Sequence, residues 1–382
     1  MLFEEKERND FSLAKHQEST FEYYDRSATE LAVKVRTLLN KWFENYPEED
    51  KNNLQSRLEY EFESCFFELV VFQLFKKMGY EIEIHPSLPD SKKSPDFLMK
   101  KGVDEIYVEA KAIKDDTENA HNKIRARVLD RLNRINTPNF YLSINEFVLK
   151  KIKSPSEKKI SVYIENEIKK FDPDEVIENK NKYLDRFGPQ IIYENEKVKL
   201  EVTLIPIKKE FRGRKDRKGS IGVYGDYGVK WNNIVEVLTN ALSKKAGYYG
   251  KLNKPFIVFI NYVGDHILSQ HNIYDTLFGR EKVIFENKKP VSIQRELEGF
   301  FGDGLNPNYK RLSGVFFTRI FPSNLHVAEH WLVKHPFSNK SIDMNMIDLK
   351  RIELKTDRII EFPGKKVSEV LGIPEDWFIP NF

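Results

Sequence analysis

Asp96, Glu109 and Lys111 stand in the stretch Ser94 to Ile113, SPDFLMKKGVDEIYVEAKAI, whose other residues read as a short β-hairpin. In IYVEAK, strand alternation puts Ile106, Val108 and Ala110 on one face and Tyr107, Glu109 and Lys111 on the other. An acid and an amine spaced by two, with Asp96 arriving from the neighbouring strand, can bind a divalent cation through the carboxylates. They also leave an ammonium beside an attacking water. That arrangement suits cleavage of a phosphodiester.

The acid-x-Lys triplet is unspecific alone, because a chain this rich in both types holds about six by composition. Glu49 with Lys51, Glu178 with Lys180, Glu286 with Lys288 and Glu353 with Lys355 also match, but in polar stretches or without a preceding Pro-Asp strand. The competing reading of Glu109 and Lys111 is a cross-strand salt bridge on a solvated sheet face. Glu68 shifts the balance. In CFFELVVFQLF, Cys65 to Phe75, only Glu68 and Gln73 are polar, so a buried Glu68 requires a metal, a cation or a strong donor. Glu61, seven residues earlier on nearly the same helical face, is the runner-up, in the more polar LEYEFES.

Positioning these groups takes helices and strands in a definite order. Leu31, Val35, Leu38, Leu39 and Trp42 recur at helical spacing within 25–46, and PEEDKNN from Pro47 reads as a polar connection. A second, longer helix is expected from Leu54 to a C-terminal cap at Gly79. The runs YEIEIHP, PDFLMKK and EIYVEAKAI read as three strands, 115–135 as a charged helix and NFYLSINEF as a fourth strand. Further strands are expected at QIIYEN, VKLEVTLIPI, PFIVFINYV and SGVFFTRI, with a helix over 231–246; the pattern after Lys340 assigns nothing.

A buried-helix glutamate ahead of a Gly-Tyr, then Pro95-Asp96, then Glu109-Ala110-Lys111, resembles the PD-(D/E)xK nuclease superfamily. FFELVVFQLFKKMGYEIE is similar to the helix of Mrr-type restriction enzymes. The resemblance covers roughly residues 58 to 145. It implies an α/β fold with a restriction-endonuclease-like αβββαβ core on a central mixed sheet. The expected division is an N-terminal helical segment 1–53, the nuclease core 54–265 and a C-terminal α/β elaboration 266–382. It further implies Asp96 and Glu109 as ligands of Mg²⁺ or Mn²⁺, joined by the Ala110 carbonyl, with Lys111 positioning water and Glu68 completing the acidic cluster. The implied activity is divalent-metal-dependent endonuclease hydrolysis of DNA, with RNA left open, in restriction, phage defence or repair. A second copy of the chain or an accessory defence protein are the further partners considered. Neither a glutamine or serine motif after the third strand nor a target-recognition domain is evident.

KKEFRGRKDRKGS, Lys208 to Ser220, carries seven basic residues against Glu210 and Asp216. Arg212, Arg214, Lys215, Arg217 and Lys218, extended by Lys244 and Lys245, form the expected phosphate-tracking surface; a solvated hairpin tip is the plainer reading. His85 ends a strand, where capping or packing suits it better than lining the site, and His326 with His330 is a weak zinc pair. No Walker-type glycine loop is present.

With 382 residues, 40% apolar, the chain can bury at least one large core, and a net charge of +3 makes no argument for nucleic acid by itself. One cysteine, Cys65, excludes an internal disulfide framework and a multi-cysteine zinc site, which points to a reducing compartment. With no run of about 18 apolar residues, the expected location is cytoplasmic, without a membrane partner. The rival function is a non-catalytic module of the same fold that binds nucleic acid or protein.

Overall fold

The computed structural model describes all residues except 16–17, 90, 115–118, 152–153, 180–182, 184–187, 214–218, 225–233, 265–266, 287–288, 296–297, 356–357 and 379–382. Helices α1 (Thr20–Arg26), α2 (Glu30–Glu44), α3 (Glu48–Leu58) and α4 (Phe62–Lys77) come first. Thr29 caps α2 by accepting from the Ala32 amide, and Val35, Leu39, Trp42 and Phe43 form its buried side. The polar run expected as a connection is instead the start of α3. Pro47 fixes the entry, and Glu48, Glu49 and Asp50 supply negative charge where the helix dipole favours it. The single helix expected from Leu54 to Gly79 is broken between Leu58 and Phe62, and α3 packs back against α4.

Helix α4 is buried from Cys65 to Phe75, each large apolar side chain contributing on the order of 1.5–3 kcal/mol. Gly79 ends it with a φ of 82°, a conformation that glycine adopts without strain, and the Tyr80 amide closes onto the Phe75 carbonyl.

Strands β1 (Glu81–Ile84), β2 (Phe97–Lys101) and β3 (Asp104–Ile113) follow as expected. Next come α5 (Asn119–Asn133), β4 (Phe140–Leu149), α6 (Glu157–Ile168), α7 (Pro173–Glu178), β5 (Gln190–Glu194), β6 (Val198–Pro206) and β7 (Ile221–Tyr224). The remainder is α8 (Ile234–Ala246), β8 (Phe256–Tyr262), α9 (Gln270–Phe278), β9 (Glu281–Glu286), β10 (Lys289–Arg295), β11 (Gly314–Thr318), β12 (His330–Lys334), β13 (Arg351–Lys355), β14 (Arg358–Phe362) and α10 (Val367–Leu371). The chain is thus mixed α/β.

Two compact units divide it: residues 1–10, 20–114 and 233–382 form one, and 11–19 with 115–232 the other. Boundaries expected at 53 and 265 do not coincide with them, because one sheet gathers strands from both sides of the second unit. That sheet runs β1-β2-β3-β8-β11-β12-β13-β14; β3, β8 and β11 are mutually parallel, and β1, β2 and β3 antiparallel. Alternation sorts its faces. Ile106, Val108, Ala110, Ile257 and Phe259 join the core that includes α4, whereas Tyr107, Val258, Ile260 and Tyr262 join the core of α8 and α9.

The second unit is a sheet of order β5-β6-β4-β7 with its own core, to which α5 and α6 contribute. Strand β4, expected as the fourth strand of the first sheet, lies here and pairs with β6. The physical reason is legible in its burial. β4 alternates buried and accessible residues, which suits a sheet covered on one side, here antiparallel except for the β4–β7 pair, while β8 is buried at every position, as a central parallel strand is. The segment after Lys340, unassigned from sequence, supplies β13, β14 and α10.

Candidate active site

Asp96 sits immediately before β2 and faces β3, where its Oδ2 accepts a 2.7 Å hydrogen bond from the Ala110 amide. Its Oδ1 carries no hydrogen bond among the described residues. Burial, the carboxylate of Glu109 and then that of Glu68 hold the Asp96 carboxyl well above the usual carboxylate range; the Ala110 bond and the charge of Lys245 act the other way. Glu109 is 3% exposed on the α8 face of β3. Both of its oxygens are engaged, Oε1 by the Lys245 ammonium from the last turn of α8 and Oε2 by the Tyr249 hydroxyl. Burial and the facing Glu109 keep the Tyr249 phenol protonated far above its ordinary range. Lys245, expected among the phosphate contacts, is therefore drawn onto Glu109, while Lys244 is exposed.

Lys111 is exposed and makes no ion pair or hydrogen bond among the described residues. Ala110 is buried, with its amide committed to Asp96. Glu68 acts on Asp96 through its charge, yet among the described residues it does not group with Asp96 and Glu109 closely enough to share a metal ion. Two guanidinium nitrogens of Arg57, on α3, hold its two oxygens at 2.7 and 3.1 Å. Burial raises the Glu68 carboxyl and the Arg57 fork pulls it back, so the polar side chain in the apolar helix finds its cation within the protein. Arg57 also reaches Glu61, whose side chain is 55% exposed.

A further carboxylate lies close by. Asp50 of α3 is buried, takes a hydrogen bond from the Tyr46 hydroxyl and one from Asn53, and stands 3.6 Å from His85 Nε2. His85 has a φ of 47°, and its amide donates to the Asp96 carbonyl, which ties the end of β1 to the start of β2. Sequence reasoning missed Asp50, Arg57 and Tyr249. An arginine eleven residues before Glu68 would lie about 16 Å away along one continuous helix, so only the break between α3 and α4 brings them together. Nothing local links Tyr249 to Glu109 across 140 positions.

Among the described residues no three His, Cys, Asp or Glu side chains group closely enough to hold a metal ion. Mg²⁺ commonly uses only one or two carboxylates with waters and substrate phosphate, so the pair Asp96 and Glu109 fits such an ion. The free Oδ1 and the repulsion from Glu109 at Asp96 are what a cation there would relieve.

In the expected basic loop, Arg212 is already bidentate to Asp174 at 2.7 and 3.0 Å, so it is not a free phosphate contact; Arg214, Lys215, Arg217 and Lys218 lie outside the described residues. His330 does not serve a zinc pair, because its Nε2 meets the Lys350 carbonyl and burial pushes it down to about 4.

Tyr249→Phe removes one of the two donors to a buried carboxylate and is expected to cost about 1.5–3 kcal/mol in urea denaturation. A variant within 0.5 kcal/mol of wild type would mean, by the usual worth of such bonds, that Oε2 is served by water.

No protein-family model matches the chain, and comparison with curated proteins and with solved structures gave no match. Among the described residues no helix is long and apolar enough to cross a membrane.

Proposed function

We propose that this chain is a divalent-metal-dependent nuclease hydrolysing DNA phosphodiester bonds, built on a restriction-endonuclease-like core. The core reading is supported by α4, β1, β2, β3, α8 and β8, which follow the order αβββαβ once the second unit is set aside, with the strands adjacent as β1-β2-β3-β8. The observation that carries the function is the pair of buried carboxylates on adjacent strands, Asp96 held by the Ala110 amide and Glu109 by the Lys245 ammonium, whose charges repel one another.

Asp96 and Glu109 would hold Mg²⁺ or Mn²⁺, which would supply activation of an attacking water and neutralisation of phosphate charge. Asp96 and Glu109 hold the charge that keeps such an ion in place, and the Ala110 amide fixes the orientation of Asp96. The ammonium stabilises the negative charge that develops on phosphate. In the net reaction the water oxygen bonds to phosphorus and the bond from phosphorus to the leaving sugar oxygen breaks. One water proton ends on that sugar oxygen and the other on the phosphate product or solvent. DNA is preferred to RNA on the resemblance alone, as are the settings of restriction, phage defence and repair.

A second reading, a non-catalytic module binding nucleic acid or protein, is favoured by one observation: both Glu109 oxygens are already satisfied within the protein. Calorimetric titration with Mn²⁺ separates the two. The nuclease reading expects binding at millimolar or lower concentration, lost in Asp96→Asn. No heat with wild type sinks it in favour of the module.

For substrate holding, neutralising Arg214, Lys215, Arg217 and Lys218 together is expected to weaken DNA binding across all sequences. The log-log salt slope should flatten by about two to four units. An unaltered slope would reduce this stretch to a solvated turn.

A further inference from the structure

Two lysines compete to be the ammonium at Asp96 and Glu109. Lys111 has the spacing, two residues beyond Glu109 on β3, but its side chain is exposed and without a partner among the described residues. Lys245 is 136 positions away in sequence, yet its ammonium rests on Glu109 Oε1 and its side chain is only 23% exposed. It is also held there. Leu238, Leu242 and Ala246 bury one side of α8 in the core shared with Val258 and Ile260 of β8, the strand paired with β3. Just past the helix, Tyr249 packs edge-on against Phe256 at 5.7 Å and takes the other oxygen of Glu109. Lys245 and Tyr249 therefore fix Glu109 from both sides, and the charge of Lys245 is felt at Asp96.

An ammonium has three donors, and one on Glu109 leaves two to aim elsewhere. A side chain anchored by a packed helix is preorganised for charge stabilisation, whereas a solvated one must be ordered during the reaction. Resting on the nuclease reading above, we propose that Lys245, delivered by α8 onto Glu109, is the ammonium that faces the scissile phosphate, in place of the strand lysine Lys111. One N–H stays on Glu109 and another donates to a non-bridging phosphate oxygen, while the bonds made and broken are those of the hydrolysis given above.

The test compares Lys245→Met and Lys111→Ala in the full chain by two readouts, cleavage of a duplex plasmid in Mg²⁺ and calorimetric titration with Mn²⁺. Lys245→Met is expected to lower cleavage about 100-fold or more. It should at the same time tighten Mn²⁺ binding, by roughly 3- to 10-fold, because the ammonium no longer shares the Glu109 carboxylate with the ion. A lysine that merely supported the fold would not produce that opposed pair of changes. Lys111→Ala should lose at least about tenfold less cleavage than Lys245→Met.

Equal or greater loss in Lys111→Ala overturns the assignment. If Lys245→Met fails to fold, Lys111→Ala is read against wild type instead: a loss below about tenfold supports the assignment and a larger one overturns it, Lys111 being exposed. Unchanged Mn²⁺ affinity in a folded Lys245→Met also overturns it. A wild-type chain that binds Mn²⁺ but cleaves nothing overturns the nuclease reading instead, and the Mn²⁺ arm then still decides whether Lys245 faces the ion.

Discussion

Asp96→Asn should make the metal-free protein more stable at neutral pH while removing its response to divalent ions. In the folded chain, burial and the carboxylates of Glu109 and Glu68 hold the Asp96 carboxyl well above its ordinary value. A raised carboxyl binds its proton more tightly folded than unfolded. Its contribution is therefore fully present below the unfolded value and is lost as pH rises through the folded one. Above the unfolded value Asp96 therefore opposes folding, whether it ionises or keeps its proton, and the amide removes that opposition while its oxygen still accepts from the Ala110 amide. The expected gain is about 2 °C or more in thermal melts at pH 7–8 without divalent ions, shrinking toward zero by about pH 4. With millimolar Mn²⁺ the order should reverse, because only wild type gains binding energy. A variant less stable at every pH would make Asp96 an ordinary strand cap.

Arg57→Ala is expected to be the most destabilising single change near the site. It leaves Glu68 buried without its bidentate partner, at a cost of about 3 kcal/mol. Replacing both members by methionine should recover most of that loss, since neither ion is then desolvated. Urea denaturation of the single and double variants measures both terms. If Arg57→Ala and the double variant were equally unstable, the guanidinium would matter through its packing and not through its charge.

How much of this was legible in the sequence depends on how local each cause is. The strands carrying Asp96 and Glu109 follow from period-two alternation over a few residues, and β1, β2 and β3 form where that pattern lies. The acid-rich run after Pro47 was harder, because a solvated linker and the first turn of an amphipathic helix have the same composition. NFYLSINEF and PFIVFINYV both read as strands, but single-sequence periodicity does not say which sheet a strand joins. Half-burial goes with the first lying in the sheet of the second unit, and complete burial with the second lying next to β3. At the site, buried Glu68 announced its need for a cation but not which one. Arg57 is brought to it by the helix break, and Lys245 and Tyr249 reach Glu109 through tertiary packing alone.

Cleavage of a supercoiled plasmid by the purified chain is the decisive assay for the nuclease, with Mg²⁺ or Mn²⁺, with chelator, and with Asp96→Asn and Glu109→Gln alongside. Wild type should give nicked and linear products that need the divalent ion. Loss in either variant should reach about 10³-fold, each alone nearly as complete as both together, since the ligands act as a unit. An inert wild type, or cleavage that survives in both variants, would contradict the nuclease reading.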